Sequence, residues 1–241
     1  MKKIASIFTL LLTVILISGC QTNENTIKVI ATTTPHGEIL EFIKPTLEEK
    51  GYTLDIVITS DYYLPNPSVA SGDAIANFFQ HVPFLNLYND SNPNAPLVNA
   101  LGVHIEPIGI YSSGINHIND IPNGATVLIS NSTSDHGRVL NLFEQAGLIT
   151  LSEDFDILAA SIDFDEVIIS NPKNLEFKAD VSPNLMIPAY NNDEADLYVI
   201  NSNYVIQGGY NPVEDAIFLE STTNNPYVNI LAVTEANLED P

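Results

Sequence analysis

Arg138 is the sole arginine among 241 residues, in a chain that carries 30 Asp+Glu against eight Lys+Arg. It follows Ser130-Asn131-Ser132-Thr133-Ser134-Asp135-His136-Gly137, a polar run rich in residues that cap helix N-termini. With Ser134 as N-cap, Arg138 would stand at N4, where its charge opposes the helix dipole by about 0.3–1 kcal/mol. Two chemistries would justify the placement. The guanidinium could grip the carboxylate of an anionic ligand, aided by backbone N–H groups at the helix start. It could equally form a structural ion pair, with Asp135 the acid nearest in sequence. The residues alone leave both open.

A second candidate is Asn77-Phe78-Phe79-Gln80-His81-Val82-Pro83-Phe84. Aromatic walls with an amide and an imidazole suit a pocket for a small amphiphile, although Phe78, Phe79 and Phe84 serve a core as readily. Pro83 argues against a helix or strand interior here. Asp61-Tyr62-Tyr63-Leu64-Pro65-Asn66 and Asn201-Ser202-Asn203-Tyr204 add tyrosines, which offer both a wall and a hydroxyl, and amides, which cap turns as often as they hold ligands. Asn201 and Asn203 would point to the same side of an extended segment.

Enzymatic chemistry finds little support. The histidines at 36, 81, 104, 117 and 136 form no HExxH pattern, and the chain lacks a GxSxG elbow, a Walker loop and a dinucleotide fingerprint. No catalytic residue and no cofactor is expected. His104-Ile105-Glu106 is a weak metal pattern; a metal-binding protein using His81, His104 and acids remains a rival reading.

The elements that would position these residues alternate strand and helix. Ile27–Thr32 reads as a strand, and Thr34-Pro35 as an N-cap and N1 pair. The helix after it places Ile39, Leu40, Ile43 and Leu47 on one stripe and stops at Gly51. Thr53–Ile58 is a second strand, so the chain opens with a parallel α/β unit. The pattern returns with a strand at 125–130, a helix over 135–146 ending at Gly147, and a strand at 197–200. Pro and Gly breaks between His104 and Pro122 suggest two lobes. Loops 31–37, 130–138 and 201–204 follow strand ends, where open α/β sheets bind ligands.

The N-terminus is an export signal. Lys2 and Lys3 precede an uncharged run of about 14 residues, short of the roughly 20 that span a bilayer. Leu16-Ile17-Ser18-Gly19-Cys20 is a lipobox pattern, so Cys20, the only cysteine, is expected to carry lipid and become the mature N-terminus. Without residues 1–20, six Lys+Arg face 30 Asp+Glu, a formal charge of −24. That field repels phosphate backbones and excludes nucleic acid as a partner. The lone cysteine excludes an internal disulfide or thiolate metal site.

Several segments carry a family resemblance. Pro35-His36-Gly37-Glu38-Ile39-Leu40, Ser60–Asn66, Ala76–His81, Val103-His104-Ile105-Glu106-Pro107, Gly137-Arg138, Asn171–Leu175, Asn201–Tyr204 and Asn225-Pro226-Tyr227-Val228-Asn229 occur in this order. Together they resemble the NlpA-type lipoproteins, the methionine-binding components of ABC importers, over about residues 27–241. The resemblance implies an α/β, two-lobed periplasmic-binding-protein fold of type II with a ligand cleft between lobes. It implies a signal at 1–20, a tether at 21–26, a first lobe at 27–106 completed by 225–241, and a second at 107–224. Arg138 would hold the ligand carboxylate, Asn201 and Asn229 the polar groups of the amino acid, and Tyr62, Phe79, His81 and Phe84 the thioether side chain. The implied ligand is methionine in L or D form or a methionine dipeptide, delivered to a permease and ATPase at the exterior face of the cell membrane. The chain departs from the family pattern around 130–136, has Phe84 where tyrosine is common and Ile75 where an acid is common, and stops at Pro241 where a final helix usually continues. A surface lipoprotein of the same fold, acting in adhesion instead of transport, is the alternative.

Overall fold

The computed structural model describes residues 25–239; the signal, Cys20 and most of the tether lie outside the described residues. The chain begins with β1 (Thr26–Ala31), α1 (Glu38–Glu49), β2 (Thr53–Ile58), α2 (Pro65–Ala70), β3 (Ala76–His81), α3 (Val82–Ser91) and β4 (Val98–Ile105). It then passes through Glu106-Pro107 into β5 (Ile108–Tyr111), β6 (Thr126–Ser130), α4 (Thr133–Gln145), β7 (Thr150–Leu151), α5 (Phe164–Val167), β8 (Ile168–Ser170), β9 (Glu176–Val181), α6 (Met186–Asn191), β10 (Leu197–Asn201), α7 (Ser202–Gln207) and β11 (Phe218–Leu219). A second passage, residues 220–227, returns it to β12 (Val228–Val233) and α8 (Glu235–Glu239).

Two mixed five-stranded sheets result, in the orders β2-β1-β3-β12-β4 and β11-β5-β10-β6-β9. In the first, β1 runs parallel to β2 and β3, whereas β12 is antiparallel to β3 and β4. The apolar stripe of α1 covers one face of this sheet, with Leu40 against Val29, Ala31 and Phe78. Val69 and Leu85, from α2 and α3, pack with Ile30 and Ile230 in the second cluster of this sheet. In the second sheet Leu140 and Phe143 of α4 join Val127, Ile129 and Leu197. Helix α4 ends where Gly147 adopts φ +72, a C′ conformation that glycine takes without a Cβ penalty. Among the described residues, no helix is long and apolar enough to cross a membrane.

Four local expectations are corrected. Asn77–His81 lies in β3, a central strand buried at every residue. Its polar side chains are tolerated because Asn66, Asn77 and Gln80 satisfy one another at 2.6–2.9 Å, and Pro83 enters the first turn of α3, where no intrahelical N–H bond is lost. Thr34-Pro35 does not start the first helix. Thr34 is extended, as residues before proline tend to be, and α1 begins at Glu38 after an irregular turn. Helix α4 starts at Thr133 with Ser132 as N-cap, which moves Arg138 to N6, past the turn where the dipole opposes a cation. β1 also begins at Thr26, one residue inside the expected tether.

Candidate binding cleft between the sheets

A cavity of about 640 Å³ opens between the two sheets. From the first sheet come Tyr62, in the loop after β2, Phe79 and His81 from β3, Phe84 from α3 and Asn229 from β12. The second contributes Arg138 and Asp135 from α4, Asn201 from β10, and Asn203 and Tyr204 from α7. Glu106 borders it from the passage between sheets. Phe78, the remaining aromatic of the β3 segment, is a core residue 1% exposed.

His81 ends β3 and caps α3, its Nδ1 accepting the Phe84 N–H at 3.2 Å. Its Nε2 therefore carries the proton and donates to Asp135 Oδ1 across the cleft at 3.1 Å. The Tyr62 hydroxyl accepts from Asn203 Nδ2 at 3.2 Å, and Gln207 Nε2 reaches Thr34 O at 3.1 Å, so these hydrogen bonds too join the two halves. Burial pushes the Tyr62 phenol up to about 12, which keeps it protonated. Tyr62 and Phe79 meet edge to face at 5.8 Å, and Phe79 and Phe84 at 5.7 Å, forming a continuous aromatic wall. Asn203 Oδ1 and Tyr204 Oη are buried without a partner among the described residues.

Arg138 is 1% exposed and anchors a charged network. Its Nε and Nη2 form a fork on Glu220 at 3.2 and 2.5 Å, Nη2 also donates to Glu106 O at 3.0 Å, and Nη1 reaches Asp135 Oδ1 at 3.4 Å. Tyr227 lies 4.3 Å beneath the guanidinium carbon. Burial disfavours the cation, but Glu220 and Asp135 outweigh it and raise the Arg138 pKa. Burial would likewise raise Asp135, yet His81, Arg138 and Ser132 hold it well below the usual carboxylate range. The ion pair that the sequence left as an alternative is thus present, with Glu220 as the main partner. Among the described residues one Nη1 N–H has no acceptor, and Arg138 borders the cavity.

Gly137 makes this packing possible. A Cβ there would lie 2.0 Å from Ile157 O, the atom that also receives the Tyr227 hydroxyl at 2.9 Å. Only glycine lets the 152–163 loop lie against α4 at this point.

The family profile described as NlpA lipoprotein matches residues 27–241. The chain belongs to the NlpA lipoprotein family. Among its relatives is the methionine-binding lipoprotein MetQ of Bacillus subtilis, 46% identical over 216 residues, covering 90% of this chain and 77% of the relative. The solved structure of a nutrient-binding protein from Burkholderia cenocepacia bound to methionine superposes with a TM-score of 0.80 at 30% identity, covering 89% of this chain and 87% of the other. A periplasmic substrate-binding protein of an ABC transporter from Coxiella burnetii matches with the same TM-score, identity and coverage. These likenesses give this NlpA-family chain the two-lobed α/β fold of solute-binding proteins, and the family is not enzymatic.

All seven residues singled out from the sequence as ligand contacts, Tyr62, Phe79, His81, Phe84, Arg138, Asn201 and Asn229, border the one cavity, and both Asn201 and Asn203 do so. Sequence reasoning assigned no role in the cleft to His36, Glu106 or Glu220. Glu106 carried a signal, its place in the His104-Ile105-Glu106-Pro107 segment. Glu220 carried none, because one acid among 30 is not conspicuous.

Proposed function

We propose that this protein is the solute-binding lipoprotein of an ABC importer, and that it closes its two lobes on methionine or a methionine dipeptide. The observation that carries the reading is the composition of the cleft. A single buried arginine and amides from both sheets stand beside an aromatic wall of Tyr62, Phe79 and Phe84. A zwitterion with an unbranched thioether matches that division. The carboxylate takes the free Nη1 N–H of Arg138 and an amide of Asn201 or Asn229, while the sulfur lies against rings, each contact contributing about 0.3–1.5 kcal/mol. The B. cenocepacia relative, which holds methionine, supports this choice of ligand.

Delivery to a permease and its ATPase belongs to the same proposal, supported by the C. burnetii relative's role. So do the lobe limits at 27–106 with 225–241 and at 107–224, and attachment through Cys20 to the outer face of the cell membrane, which the lipoprotein family supports. Calorimetric titration of residues 21–241 with L-methionine, D-methionine and glycyl-methionine tests it. Submicromolar binding of at least one, weakened at least tenfold by Phe79→Ala in protein with an unchanged circular dichroism spectrum, is expected. Folded protein that takes up none of the three overturns the methionine assignment.

A further inference from the structure

Glu106 lies in the first passage between the sheets, is 8% exposed and borders the cavity. Its two oxygens have different surroundings. Oε1 faces two imidazoles, with His104 Nε2 at 2.8 Å and His36 Nε2 at 3.4 Å. Oε2 has no hydrogen-bond partner among the described residues.

The tautomer of His36 follows from its neighbours. Its Nδ1 is 2.7 Å from the Thr32 hydroxyl, while Nε2 faces two acceptors, Glu106 Oε1 and Asn229 Oδ1, the latter at 3.1 Å. Nε2 must therefore carry the proton and Thr32 must donate to Nδ1. Burial lowers the His36 pKa, so this ring stays neutral and brings no charge of its own to Glu106. Asn229, with Oδ1 held by His36, is left with its NH₂ as the group free for an occupant of the cavity. Asp135, by contrast, already shares the charge of Arg138. The cleft thus offers an unpaired carboxylate oxygen and, fixed by the same imidazole, an amide donor.

We infer that Glu106 Oε2 is the acceptor for a primary ammonium group of the ligand, and that Thr32, His36 and His104 are positioning residues that turn this oxygen toward the cavity. The inference rests on the reading of the protein as a methionine-type binder and adds a selectivity to it. The cleft should demand a free amine and reject ligands in which that nitrogen is acylated or missing.

The test compares L-methionine, N-acetyl-L-methionine and the des-amino analogue 4-(methylsulfanyl)butanoic acid by calorimetry, on wild type and Glu106→Gln. In the variant the carboxamide oxygen keeps the two imidazole N–H donors, so its NH₂ faces the ligand. A hydrogen bond between charged groups predicts that wild type prefers methionine over either analogue by roughly 10- to 150-fold. Glu106→Gln should lose most of that preference by weakening methionine, with the des-amino acid changed less than about threefold. Wild type that binds the des-amino acid as tightly as methionine overturns the inference without any variant. Equal weakening of both compounds in Glu106→Gln also overturns it, since that is the signature of a structural role. Wild type that binds none of these compounds, nor D-methionine or glycyl-methionine, instead removes the methionine reading, and this inference with it.

Discussion

Removing the carboxylate of Glu220 should destabilise this protein far more than removing any surface acid. Glu220 opens the return passage to the first sheet, and Arg138 ties it to the Glu106 carbonyl in the outgoing one, so a single guanidinium clamps both connections between the sheets. Glu220→Ala leaves Arg138, at 1% exposure, with only Asp135 at 3.4 Å and one carbonyl. Breaking a buried pair from one side typically costs about 3–5 kcal/mol, because the orphaned charge keeps its desolvation penalty. For a chain of this size that corresponds to a fall in Tm of about 6–20 °C. Glu220→Gln, which keeps one acceptor of the fork, should lose less. The double variant Arg138→Met with Glu220→Leu removes both charges and should be more stable than Glu220→Ala. Denaturant unfolding is the assay, on protein stripped of ligand by unfolding and refolding, since bound ligand would mask the loss. A Glu220→Ala loss below about 1 kcal/mol, or a double variant no better than the single, would refute the clamp.

Gly137→Ala should destabilise by about 1–3 kcal/mol, because the new Cβ meets Ile157 O at 2.0 Å and must push the 152–163 loop away; a Tm within 1–2 °C of wild type contradicts the packing. Asp135 has a folded pKa below its unfolded value, so its contribution is complete above about pH 4 and is lost as pH falls further, when the unfolded chain takes the proton first. Asp135→Asn should flatten the fall in stability below pH 4, and an unchanged acid slope counts against the network. Gln80→Leu strips partners from buried Asn66 and Asn77 and should cost about 1–3 kcal/mol, seen as a lower denaturation midpoint at constant slope.

What the sequence made legible was whatever a local period or a rare residue could signal. The α1 stripe of Ile39, Leu40, Ile43 and Leu47 packs on the first sheet as its spacing required, and Gly147 closes α4. Arg138 stood out because it was alone in an acidic chain. Local reading failed where long-range partners decide. A strand containing Asn77, Gln80 and His81 looks too polar for a sheet centre until Asn66, from α2, and Asp135, from the other half, are brought against it. Glu220 is 82 residues from Arg138, and no periodicity links them. The helix start was misplaced by two residues because Ser132, Thr133 and Ser134 are comparable N-cap candidates, and only the backbone dihedral at Ser132 separates them.

The scarcity of cations bears on how the cleft can work. With a formal charge of −24 beyond Cys20, an anionic ligand approaches a repulsive surface, and Arg138 cannot attract it from a distance because Glu220 and Asp135 already balance its charge. A zwitterion is not penalised in this way: it carries no net charge into the field and brings a cation to offset the acids it meets inside. Within the cleft the guanidinium acts through geometry, its planar fork holding Glu220 and the Glu106 carbonyl at once. Lysine has neither the plane nor the number of directed donors to make these bonds at once. Arg138→Lys should therefore weaken both the clamp and ligand binding although the charge is kept, and an affinity within threefold of wild type would show that charge alone is what the site uses.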